Sequence, residues 1–98
     1  MNKDLKDHYK AQAKIIKALS HPTRLMFVNE IAKRERCVWD LTRLAGTKMP
    51  TVSRHLNVLK DAGILDDDKR GTQVFYHLRG RRIFEFFRCI ESIQRNTR

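Results

Sequence analysis

The spacing of apolar residues changes twice along this chain, and the order of those changes restricts the fold more than any other feature. Up to Ala62 the apolar residues recur at helical spacing, from Ile64 to Leu78 they alternate, and from Arg82 onward the helical period returns. A helical core, one β-hairpin and a closing helix is the arrangement such a pattern allows.

Punctuation divides the first stretch into four helices. Leu5, Tyr9, Ala13, Ile16 and Leu19 form one stripe of a first helix from Leu5 to Leu19, with Lys3, Lys6, Lys10, Lys14 and Lys17 on another face. Ser20, His21, Pro22 and Thr23 end that helix and start a second, from about Thr23 to Lys33, since proline is tolerated in a first turn. Leu25, Met26, Val28, Ile31 and Ala32 are its core positions, with Phe27 read as partly buried. Lys33 to Arg36 reads as a charged connector.

A third helix begins near Cys37 or Val38 and buries Val38, Leu41, Leu44 and Ala45, and Gly46 is placed to leave it at positive φ. Met49, Pro50 and Thr51 open a fourth, whose inward stripe is Val52, Leu56, Leu59 and Ala62. Gly63 closes it. Ile64 and Leu65 then lead into a charged tip, Asp66 to Arg70 with Gly71, and Gln73 to Leu78 return as the second strand of a hairpin. The last helix, from about Arg82 to Arg95, carries Ile83, Phe86, Phe87, Ile90 and Ile93 on one side. No repeat or linker divides the chain, so residues 1–98 read as one domain.

Two short helices joined by a tight turn and followed at once by a charged hairpin make the order of a winged helix-turn-helix, α-α-α-α-β-β-α and mostly α. In that arrangement the buried stripe of the fourth helix fixes it to the third, and its opposite surface is free to enter a major groove. That surface holds Met49, Pro50, Thr51, Ser53, Arg54 and Asn57, with His55 toward one flank. Thr51 and Ser53 suit phosphate or base edges, and Arg54 suits guanine or phosphate. Lys69, Arg70 and Thr72, around Gly71, suit an adjacent backbone or minor groove. Asp66, Asp67 and Asp68 would repel DNA there, so they are expected to face away or to pair with nearby cations.

Charge agrees with this reading. Lys and Arg number 21 against 11 Asp and Glu, a formal net charge of +10, which calls for a polyanionic partner. No apolar run approaches the roughly 18 residues of a membrane span, and Met1 to Asp4 lack a secretory signal's apolar core. A soluble, cytoplasmic protein with no membrane partner is expected. A nucleophile with a positioned base is not visible in the spacing, nor is a glycine-rich phosphate loop, so an enzyme is not expected. The rival is a winged helix acting as a protein-interaction module or as a constitutive DNA binder.

Four blocks, ALSHPTRL (Ala18 to Leu25), CVWDL (Cys37 to Leu41), TVSRHLNVLKDAGIL (Thr51 to Leu65) and KRGTQVFYHL (Lys69 to Leu78), together resemble the ArsR/SmtB family of metal- and stress-responsive repressors. The resemblance implies a homodimeric repressor built through the first and last helices, with two recognition helices about one DNA turn apart on an imperfect inverted repeat. Leu5, Tyr9, Ile16, Ile83, Phe84, Phe87, Ile90 and Ile93 are the residues expected between the protomers. The terminal helix by itself carries more apolar surface than one small domain readily covers.

The resemblance also bears on the signal. Family members that bind arsenite or cadmium carry C-V-C-[DE]-L at the third helix, whereas here Trp39 stands at the second thiol. The resemblance implies release from the operator by a thiol-reactive or soft-metal signal, but one thiolate does not chelate a soft ion, so a soft-metal or metalloid ion at Cys37 lacks its second thiol. Zinc sensors use Asp and His of the last helix, and His8, His21, His55 and His77 all lie outside it. Some thiol-sensing members pair a cysteine at the Cys37 position with one in the last helix, here Cys89, which requires Cα atoms within about 7 Å. Beside Arg36 and a helix start, Cys37 reads as the more reactive thiol, while Cys89, between Phe86 and Ile90, also reads as a small buried residue.

Overall fold

A computed structural model describes residues 1–97. Five helices and three strands follow in the order α1 (Lys3–Leu19), α2 (Pro22–Lys33), β1 (Arg36–Cys37), α3 (Val38–Ala45), α4 (Met49–Asp61), β2 (Leu65–Arg70), β3 (Gln73–Leu78) and α5 (Ile83–Asn96). The expected winged helix-turn-helix is therefore present, with one addition. The connector Lys33 to Arg36 ends in a short strand: Arg36 pairs with Tyr76 and Cys37 with Phe75, and the antiparallel sheet runs β1-β3-β2. Two residues carry no period, so only their pairing with β3 defines this strand.

Local chemistry sets the helix ends. Asn2 caps α1 by accepting from the Leu5 amide at 2.8 Å. The His21 ring caps α2, its Nδ1 accepting from the Thr23 amide at 3.1 Å, and Pro22 occupies the first turn where no amide partner is lost. Gly46 leaves α3 at φ 64°, the left-handed conformation expected of it. The hairpin is tighter than the sequence reading. Asp66 to Arg70 all belong to β2, Arg70 pairs with Gln73, and the turn is Gly71 and Thr72 alone. Gly71 takes φ 64° and Thr72 a negative φ, the requirement of a type II′ turn, whose twist matches the flanking strands.

The core is contributed by the middle of the chain. Phe27, Val28, Leu41, Val52, Leu56, Leu59 and Leu65 are wholly buried, with Ala18, Leu19, Ile31, Ile64, Tyr76 and Phe87 beside them. Two positions correct the sequence reading. Phe27 is fully enclosed instead of partly buried, and Leu44 is 49% exposed instead of facing inward. Leu44 lies about 60° around α3 from Leu41, on the side away from Val38 and Ala45, which pack against the core. Glu30 ties β1 to α2: Arg36 Nη2 approaches its carboxylate at 3.0 Å and Arg36 Nε donates to its carbonyl at 3.2 Å.

The ends of the chain are different. Every residue from Met1 to Lys17 is exposed, and only Ala18 and Leu19 of α1 are buried. In α5 Phe87 alone is buried. The radius of gyration is 14.9 Å, against about 13 Å for a compact chain of this length.

Candidate nucleic-acid interface

α4 is anchored through Val52, Leu56 and Leu59, each fully buried. Pro50, Ser53, Arg54 and Asn57 follow at i, i+3, i+4 and i+7, so they share the opposite face. Pro50, Arg54 and Asn57 are exposed, while Met49, Thr51 and Ser53 at the same end of the helix are half-buried. No side chain caps the N-terminus of α4, and its first turn holds no acidic residue. Pro50 has no amide hydrogen, and the Thr51 and Val52 amides both donate to the Lys48 carbonyl, so what favours an anion there is the positive end of the helix beside an unpaired guanidinium. Among the described residues neither Arg54, Lys48 nor Lys69 has an ion-pair partner.

A cluster absent from the sequence reading orients this helix. Arg24 of α2 donates from Nε to the Ala18 carbonyl at 2.6 Å and meets His55 Nδ1 at 3.1 Å. Because a guanidinium only donates, His55 Nδ1 must be the acceptor, which leaves its proton on Nε2. The His21 and His55 rings stand 4.3 Å apart. Burial pushes the His55 imidazole below its usual value, reinforced by the nearby charges of His21, Arg24 and Arg54. The neutral ring therefore links α2 to α4 without adding a charge beneath Arg54.

The three aspartates of the hairpin are paired, as their charge required. Asp66 binds Arg79 at 2.6 and 3.2 Å, and that contact holds its carboxyl below the usual range. Asp67 meets Lys60 of α4 at 3.1 Å, and Asp68 meets Arg70 at 3.4 Å. Arg70 itself is engaged: its two terminal nitrogens bind Glu35 at 2.6 and 3.0 Å, and its guanidinium lies 4.7 Å from the centre of the Phe75 ring. Neither Glu35 nor Arg24 carries a sequence signal, because each acts through a partner distant in the chain. Thr72 is exposed in the turn.

Of the residues expected between protomers, Leu5, Tyr9, Ile16, Phe84 and Ile93 are between 44% and 62% exposed, and Ile83 and Ile90 are half-buried. Phe87 is a correction: at 7% exposure it belongs to the protomer's own core, the inward side of α5. The thiols also exchange their expected places. Cys37 is buried and Cys89 exposed, both free. Cys37 precedes α3 without a side-chain cap bond. The described residues contain no group of three or more His, Cys, Asp or Glu placed to hold a metal ion, and Cys37 beside Trp39 does not fit a soft-metal centre.

A cleft of about 800 Å³ lies away from α4, between the end of α2, the end of β3 and the start of α5. Lys33, Arg34, Arg79, Arg81 and Phe84 are among its lining residues, and no hydroxyl or thiol is. Among the described residues no helix is long and apolar enough to cross a membrane.

Known proteins share this arrangement. The family model described as "Bacterial regulatory protein, arsR family" matches residues 21–67. An HTH-type transcriptional regulator of Methanocaldococcus jannaschii is 35% identical over 88 residues, 89% of this chain and 99% of that protein. The biofilm growth-associated repressor of Xylella fastidiosa is 36% identical over 75 residues, and the match covers 76% of this chain but 66% of the repressor. The crystal structure of the repressor BigR from Xylella fastidiosa superposes with a TM-score of 0.79 at 31% identity, over 95% of this chain and 96% of that one. A homodimeric winged helix-turn-helix DNA-binding domain from Mycobacterium bovis superposes at 0.83 with 23% identity, covering 96% of this chain and 87% of that one. These relatives are transcriptional regulators and not enzymes. The chain belongs to the arsR family of bacterial regulatory proteins, as a winged helix-turn-helix transcriptional regulator.

Proposed function

We propose that this protein is a cytoplasmic repressor that binds an imperfect inverted repeat of duplex DNA as a homodimer. The observation that carries the reading is the division of α4, one side locked in the core and the other presenting Pro50, Ser53, Arg54 and Asn57 outward. Such a helix fits a major groove, where Arg54 has the reach and donors for guanine. The unpaired cations Lys48, Arg54 and Lys69, within a net charge of +10, favour DNA over a protein partner. Arg54→Ala is expected to weaken binding to a selected duplex by about 1 to 3 kcal/mol and to relax the base preference at one position of each half-site. Unchanged affinity and unchanged preference in a binding titration would remove Arg54 from base reading.

Dimerisation is supported by exposed apolar surface. The protomer exposes 7289 Å², about 1,400 Å² more than a monomer of its mass typically shows. A standard interface covers about 800 Å² per partner. Leu5, Tyr9, Ile16, Phe84 and Ile93 supply the surface, with Ile83 and Ile90 at its edge.

A thiol-reactive signal is the form of release the residues support, and in the single protomer Cys89 is the exposed thiol while Cys37 is buried. Cys89 lies on α5, so modification there bears on the helix proposed to join the protomers. Operator release on persulfide treatment is expected for wild type and not for Cys89→Ser. Equal release by both contradicts this assignment.

A further inference from the structure

The wing carries two cations beside its turn, and strand alternation sends them to opposite faces of the sheet. Lys69 pairs with Val74 and shares its face with Asp67, Leu65 and Tyr76. That face packs on the core and on α4, whose Lys60 reaches Asp67. Arg70 shares the other face with Asp68 and Phe75, away from the recognition helix.

The surroundings of the two differ as much as their directions. Lys69 has no ion-pair partner among the described residues. Arg70 is held on three sides, by both oxygens of Glu35 at 2.6 and 3.0 Å, by Asp68 at 3.4 Å and by the Phe75 ring at 4.7 Å. Glu35 directly precedes β1, on the far side of β3 from Arg70. The bridge therefore crosses the width of the sheet and ties the end of the wing to the connector after α2. A phosphate that took both terminal nitrogens of Arg70 would have to displace a bidentate carboxylate of equal geometry. Glu35 and Asp68 would then face the DNA as two uncompensated negative charges.

We propose that Arg70 is a positioning residue, clamped by Glu35 so that the wing keeps a fixed angle to the recognition helix, and that Lys69 makes the wing's phosphate contact. The inference rests on the reading of the chain as a DNA-binding regulator. It replaces the simpler sequence expectation that both cations touch the backbone.

The salt dependence of binding separates the two roles, because each phosphate contact adds about 0.9 to the slope of log affinity against log salt. The probe is a duplex that the wild-type protein selects from random DNA. Lys69→Gln is expected to flatten the slope by about 0.9 per wing. Arg70→Lys keeps the charge but loses the two-point bridge, and Glu35→Gln removes the carboxylate charge and one of the two acceptor oxygens. Both are expected to weaken binding about two- to fivefold with the slope unchanged. All three sites are exposed, and thermal melting within a few degrees of wild type verifies the fold of each variant.

Three results would overturn the assignment: wild-type affinity in Arg70→Lys, tighter binding with a steeper slope in Glu35→Gln, or an unchanged slope in Lys69→Gln. The second would mean that Glu35 competes with phosphate for Arg70. A wild-type protein that selects no duplex at all removes the DNA-binding reading itself. Selection by wild type with all three variants indistinguishable from it removes both the clamp and the Lys69 contact and leaves the DNA-binding reading standing.

Discussion

A protein carrying Ile16→Glu together with Ile93→Glu is expected to be monomeric and to bind its operator about 10² to 10⁴-fold more weakly than wild type. Both side chains are more than half exposed in the protomer, 52% and 62%, so the substitutions remove nothing from its core. What they change is the surface proposed to meet a second copy, where a buried unpaired carboxylate is strongly disfavoured. Two joined recognition helices bind the second half-site as an intramolecular event, and a monomer loses that advantage.

The same variant has a second signature. α1 spans 17 residues, and isolated helices of about that length are marginal in water. With no residue before Ala18 buried, α1 is expected to fray in the monomer while the segment from α2 to β3 stays folded. Sedimentation equilibrium reads the mass and circular dichroism the lost helix. A variant that remains dimeric with full operator affinity would show that the protomers meet elsewhere.

Phe27→Ala is expected to be the most damaging single substitution for stability. Its ring is wholly enclosed in α2, and truncating such a side chain costs about 3 to 5 kcal/mol through lost transfer energy and the cavity left behind. Whole domains are stable by about 5 to 15 kcal/mol. The loss corresponds to a fall in Tm on the order of 20 °C. Urea unfolding reads it as a lower midpoint with little change in slope. A shift below about 1 kcal/mol would mean that the space around Phe27 collapses without loss of packing.

How much of this could be read in the sequence depends on the range over which each feature is determined. The α4 stripe Val52, Leu56 and Leu59 is visible because a helix states its own period, and Gly46 and Pro22 mark ends by their local conformations. β1 is not visible, since Arg36 and Cys37 become a strand only by pairing with Tyr76 and Phe75. The run Asp66, Asp67 and Asp68 reads as a loop because aspartate is depleted in strands. It is a strand here because Arg79, Lys60 and Arg70 each take one carboxylate.

The outward residues of α4 follow from the inward ones, so that part of the interface was within reach of the sequence. The groups that hold it were not. Arg24 meets His55 across 31 residues and Arg70 meets Glu35 across 35, and no local pattern announces either. For Phe87 and Cys89, periodicity gave the helix but not which side of it the protomer keeps for itself.

Guanine N7 lies on the floor of the major groove, so its reactivity toward a methylating reagent reports directly on whether α4 enters there. With a duplex selected by the protein, two clusters of protected guanines about one helical turn apart are expected, and Arg54→Ala should release protection at one guanine in each. A duplex that is bound with every N7 still reactive would contradict the central claim that the outer face of α4 reads DNA through the major groove.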